Sequence, residues 1–93
     1  MTINNKFGPK NKKEACIFAE ETFRVQIQYE LCRLMHFKGW TQNQFADAVD
    51  MDPATMDQIF ESDCYMDIRI LARMFYVLGV KPKFIFEKIN YGN

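Results

Sequence analysis

Apolar positions three and four residues apart dominate this chain, and no stretch alternates convincingly between apolar and polar residues. From Glu14 to Phe37 there is neither Gly nor Pro. Ile17, Phe18, Phe23, Ile27, Leu31, Leu34 and Met35 recur at helical spacing. Glu14, Glu20 and Glu21 lie early in this stretch and Arg33 and Lys38 late, a polarity that suits the helix dipole. Gly39 ends it. The pattern fits one long helix, or two with a bend near Thr22.

Shorter elements follow. Thr41 reads as an N-cap with Gln44 three residues on, a capping box, and Phe45, Ala46 and Val49 supply an apolar face. Asp50-Met51-Asp52-Pro53 is a break. Asp50 can take the left-handed conformation that usually falls to Gly or Asn, and Asp52 can cap a new helix with Pro53 at its first position. Met56, Ile59 and Phe60 give that helix its buried side. After a loop over residues 62–66, Asp67 caps a helix whose expected stripe is Ile68, Leu71, Ala72, Phe75 and Leu78, ended by Gly79. Lys81-Pro82 is expected to open a last short helix carrying Phe84, Ile85, Phe86 and Ile89. The expected class is therefore all-α, with five or six helices and no sheet.

Ninety-three residues suffice for one domain, since two would each fall near or below the size that sustains a core. Residues 1–13 read as a basic tail, with Lys6, Lys10, Lys12, Lys13 and the breaker Gly8-Pro9; residues 14–93 form the domain. Twelve basic residues balance twelve acidic ones, which excludes a uniformly basic nucleic-acid binder but not one with segregated charge. No apolar run approaches a membrane span, and the N-terminus has no apolar stretch of the secretory kind. Three cysteines, an odd number without a CxxC, argue against a disulfide scaffold and for a reducing cytoplasm.

Two short helices across a tight turn, Thr41–Val49 and Pro53–Glu61, make a helix-turn-helix motif. The run KGWTQNQFADAVDMDPATMDQIF resembles the lambda-repressor/Cro type of helix-turn-helix domain, the XRE-like family. Gly39, Trp40, Thr41, Gln42, Phe45, Ala46, Met51, Met56 and Ile59 stand at that family's pattern positions, and DIRILARMFYVLGV resembles its fourth helix, closing with Leu78, Gly79 and Val80. The resemblance covers roughly residues 25–89. It implies a lambda-repressor-like five-helix domain, a DNA-binding regulator of repressor type, often a homodimer, of bacterial or phage origin.

The candidate DNA contacts follow from the motif. Gln42, in the first turn of its helix, is placed to grip a phosphate together with backbone N–H groups; Gln44 lies beside it. Gln58 matches a base-reading position, and Gln pairs bidentately with adenine. Thr55 is expected at a phosphate or base edge, with Pro53 and Ala54 making apolar contact. Lys38 and the tail lysines Lys10, Lys12 and Lys13 would supply charge. Ala46 is small where two helices are expected to cross.

Departures from the family open a second reading. Asp50 replaces the turn Gly, Phe60 a frequent Glu, and Ser62 the Gly of the following loop. The window from Asp50 to Asp63 holds Asp50, Asp52, Asp57, Glu61 and Asp63 and no Lys or Arg. DNA carries about one negative charge per 1.7 Å of axis, so such a helix is repelled unless other parts compensate. The alternative is a helix-turn-helix fold that binds a basic protein partner through this acidic face, as an antitoxin, inhibitor or phage accessory protein.

Other chemistry is poorly represented. Cys32 and His36 stand four apart on a helix, but a structural zinc needs four ligands and His36 is the only histidine. Buried or half-buried thiols are the simpler expectation. No nucleophile stands beside a plausible base and no Gly-rich phosphate loop is present, so neither an enzyme nor a cofactor is expected. Phe84, Phe86, Ile89 and Tyr91 are more aromatic and aliphatic surface than one terminal helix can bury, which points to a homodimer or partner interface. Ile70, Met74 and Val77 are expected to add to it because they leave the main stripe of their helix, and Cys16–Phe23 is a second candidate surface.

Overall fold

The computed structural model describes residues 11–61 and 66–89, and among them the protein is all-helical. Four helices are formed: α1 (Lys12–Phe37), α2 (Gln42–Val49), α3 (Pro53–Glu61) and α4 (Ile68–Val77). The chain divides into two units. One holds α1 as far as Gln26 together with residues from Lys83 onward; the other runs from Ile27 to Pro82.

α1 is a single helix of 26 residues. It starts earlier than expected, because Asn11 caps it: the Glu14 amide donates to Asn11 Oδ1 at 2.8 Å. Lys12 and Lys13 therefore occupy its first turn rather than a tail, and Lys10 lies outside the described residues. Two cations there oppose the dipole, which Glu14 partly offsets. The helix continues through Thr22, whose hydroxyl donates to the Phe18 carbonyl one turn back at 2.8 Å. Glu21–Arg24 and Glu30–Arg33 pair along its surface, each contributing a few tenths of a kcal/mol at most, roughly.

In the unit Ile27–Pro82, one buried cluster joins all four helices. Leu31 and Met35 come from α1, Phe45, Ala46 and Val49 from α2, Met56 and Ile59 from α3, Met74 from α4 and Leu78 from its end. α2 packs against both α3 and α4, so Ala46 is buried at a crowded position, as its size suggests. Phe45 is the largest fully buried side chain, with the ring of Trp40 stacked at 6.0 Å and that of Phe60 edge-on at 6.4 Å. Gln28 of α1 reaches across to this core, and its amide donates to the Ile59 carbonyl at the end of α3 at 2.7 Å.

Three helices end in the same way. Gly39, Asp50 and Gly79 take positive φ of 76°, 63° and 82°. In each case the next residue's amide bonds five residues back: Trp40 to Met35, Met51 to Ala46 and Val80 to Phe75. This is the left-handed closure that satisfies the last carbonyls of a helix. Asp50 does what its position in the break suggests, without the freedom of a glycine.

Two expectations are corrected. The buried side of α4 is Met74, fully buried, with Leu78, while Ile68 is 79% exposed and Ala72 is exposed. Ile70, Leu71, Phe75 and Val77 are partly buried against the core. Apolar residues nearly encircle this helix, so packing of α2 onto it, rather than spacing, selects the face. Met74 thus belongs to the core and not to an interface.

The second correction concerns the C-terminal stretch. Residues 80–89 form no helix, and residues 81–89 are exposed throughout. The other unit is correspondingly apolar on its outside. Ile17, Phe18, Phe23 and Val25 of α1 are exposed, as are Phe84, Ile85, Phe86 and Ile89. Tyr91 and Cys64 lie outside the described residues.

Candidate nucleic-acid interface

The surface of interest is built by α2, the turn of residues 50–52 and α3. Thr41 sets its start. With φ −78° and ψ 168° it is extended, and its Oγ1 accepts from the Gln44 amide at 3.1 Å. The Gln44 Oε1 accepts from the Thr41 amide at 2.8 Å in return. The capping box read from the sequence is formed, which commits the Gln44 carbonyl to the cap and leaves its NH2 as the part able to reach a ligand.

Gln42 is the first residue of α2, beside the N–H groups that the helix leaves unpaired. Its amide donates to the carboxylate of Asp57 on α3. Nothing local in the sequence announces this bond, since the two residues are 15 apart. It ties the two helices together across the turn. The Gln42 NH2 carries two N–H groups, and Asp57 accepts from one of them.

α3 begins at Pro53, whose missing N–H costs nothing at a helix start. The Met56 amide closes the first turn onto the Asp52 carbonyl at 3.1 Å. Met56 and Ile59 face the core, while Asp52, Pro53, Ala54, Asp57, Gln58 and Glu61 are exposed. Thr55 is half-buried. With Gln58 it lines a shallow cleft whose other wall is Met66, Ile70 and Leu71. The candidate readers therefore divide into two groups. Pro53 and Ala54 sit at the exposed first turn, and Thr55 and Gln58 sit at the cleft toward α4.

Charge on this surface is one-sided. Asp47, Asp50, Asp52, Asp57 and Glu61 are all exposed, and residues 41–61 contain no Lys or Arg. Just before the motif, the Lys38 ammonium lies 5.2 Å from the centre of the Trp40 ring, a cation–π contact that leaves the side chain exposed. At the start of α4, the Asp67 carboxylate accepts from the Arg69 amide at 2.8 Å and meets its guanidinium at 3.2 Å. The side-chain hydrogen bond from Arg69, then its backbone N–H, hold this carboxyl below the usual range; the same pairing raises the guanidinium.

Elsewhere, Cys32 Sγ and His36 Nδ1 come within 3.9 Å on α1. No group of three or more His, Cys, Asp or Glu among the described residues is arranged to hold a metal ion. Cys32 is half-buried as expected, whereas Cys16 is exposed. No helix among the described residues is long and apolar enough to cross a membrane. Compared with family models, with curated proteins and with solved structures, the chain matches none.

Proposed function

We propose that this protein is a small sequence-specific DNA-binding regulator that uses α2, the 50–52 turn and α3 as a helix-turn-helix and acts as a homodimer. The observation that carries the reading is this pair of helices, eight and nine residues long, joined by three residues through a left-handed Asp50. The second helix presents the exposed N-terminal turn that such motifs insert into the major groove. Gln42 would fix α2 on the backbone, Gln58 and Thr55 would read base edges, and Pro53 and Ala54 would pack against them. Lys38, Lys12, Lys13 and Lys10 would supply the cations the motif lacks. On a cognate duplex, Gln58→Ala is expected to cost about 1–3 kcal/mol while nonspecific binding barely changes. Equal loss on all sequences would contradict that role.

A second reading is favoured by one observation: Asp57 already accepts from the Gln42 amide, and the motif exposes five carboxylates, Asp47, Asp50, Asp52, Asp57 and Glu61, with no Lys or Arg in residues 41–61. In this reading the motif captures a basic protein partner. Reversing charge at Asp57 and Glu61 together would then abolish capture. Under the DNA reading the same double change strengthens DNA binding, so one double variant separates the two.

A further inference from the structure

We infer that residues 83–87 form an antiparallel β-ribbon with the same residues of a second copy, in a register centred on Ile85. The inference specifies the homodimer part of the preceding reading and does not depend on DNA.

Residues 81–89 are exposed, and no strand is formed among the described residues. The rings of Phe84 and Phe86 nevertheless stack, with centroids 6.2 Å apart and planes within 5°. Residues two apart share a face only in extended backbone; on a helix they point apart. The segment is thus strand-like with no partner among the described residues. Phe, Ile and Phe in succession are strand formers, and Pro82 stands where a strand tolerates it, at the start. Exposing Phe86 at 88% and Ile85 at 86% is unfavourable for a monomer in water.

The occupant follows from self-complementarity. Antiparallel pairing about a two-fold axis at Ile85 sets Lys83 opposite Glu87 of the second copy, Phe84 opposite Phe86, and Ile85 opposite Ile85. One face then carries four Phe rings. The other carries two Ile side chains flanked by two Lys–Glu pairs. Shifting the axis half a residue toward the C-terminus sets Lys83 against Lys88 and Phe84 against Glu87. Shifting it equally the other way sets Lys81 against Lys88 and Lys83 against Phe86. Of these three registers, only the Ile85-centred one sets Lys against Glu and Phe against Phe. A lone two-stranded ribbon is marginal. The same unit contains the first half of α1, with Ile17, Phe18, Phe23 and Val25 exposed, so apolar side chains able to cover the Phe face belong to it.

The test is sedimentation of the full chain over a concentration series without DNA, so that its failure and that of the DNA reading are distinguishable. Wild type is expected to dimerise. Lys83→Glu and Glu87→Lys each create two like-charge pairs, and each is expected to weaken the dimer by about tenfold. The double variant restores opposite charges and is expected to return to near wild-type dissociation. Lys81→Glu makes the same change in net charge outside the two pairs, opposite Ile89, and is expected to leave dissociation close to wild type. All three substitutions lie outside the buried cluster, and far-UV circular dichroism is run on each variant to check that it is folded. A double variant as weak as the singles would overturn the inference. So would Lys81→Glu weakening the dimer as much as Lys83→Glu, or a wild-type chain that sediments as a monomer at every concentration.

Discussion

The Gln42 amide donates to the Asp57 carboxylate, joining the first residue of α2 to the middle of α3 across the turn that separates them. The bond adds an exposed tie to two helices that already pack through Phe45, Val49, Met56 and Ile59. It also sets a negative charge beside the amide that the proposed function assigns to a phosphate. Asp57→Ala is expected to cost at most about 1.5 kcal/mol in stability, the range of a net hydrogen bond at an exposed site. Under the proposed function the same change is expected to tighten binding to any duplex by removing one negative charge. Urea unfolding and duplex titration of one preparation check both; weaker binding to every duplex would contradict the charge effect.

Asp50 closes α2 with φ 63°, a conformation costly for a residue with a Cβ. Asp50→Gly is expected to stabilise the fold by up to about 1 kcal/mol, offset in part by the freedom Gly gains in the unfolded chain. A shift of the urea midpoint to higher concentration at unchanged slope is the expected result.

Gln28 satisfies the Ile59 carbonyl from a different helix. Gln28→Leu keeps the bulk and removes the donor. It is expected to destabilise by about 1–3 kcal/mol, because a part-buried carbonyl loses its partner. Amide exchange would show the loss concentrated at the end of α3 if the bond acts as described.

The Asp67 carboxyl is held below its usual pKa by Arg69, so its ionised form is favoured in the folded state. The contribution is fully present above the ordinary carboxylate range and is lost as pH falls through the lowered folded value. Wild type is therefore expected to lose stability faster than Asp67→Asn between about pH 5 and the acid limit, and no faster at neutral pH. Thermal melts of both proteins across that range check the sign.

Local signals carried most of the fold. The Thr41–Gln44 box, Pro53 at the start of α3, the Asp67 cap and the left-handed closures at Gly39, Asp50 and Gly79 are short-range chemistry, and each is where the pattern placed it. What the sequence hid is decided by distant partners. The face of α4 could not be read because apolar residues nearly encircle it. Lys81-Pro82 suits the start of a strand as well as that of a helix, and Phe84, Ile85 and Phe86 fit either. The Gln28–Ile59 and Gln42–Asp57 bonds span 31 and 15 residues. The position of Lys12 and Lys13 turned on a single capping side chain, Asn11.

The proposed function requires that α2 and α3 read DNA. Its most direct test is selection of bound duplexes from a random pool by the full chain, with Gln58→Ala run in parallel. An enriched motif with two half-sites about one helical turn apart, blurred at one base position by Gln58→Ala, is the expected result. No enriched sequence, with only weak binding that salt abolishes, would contradict it.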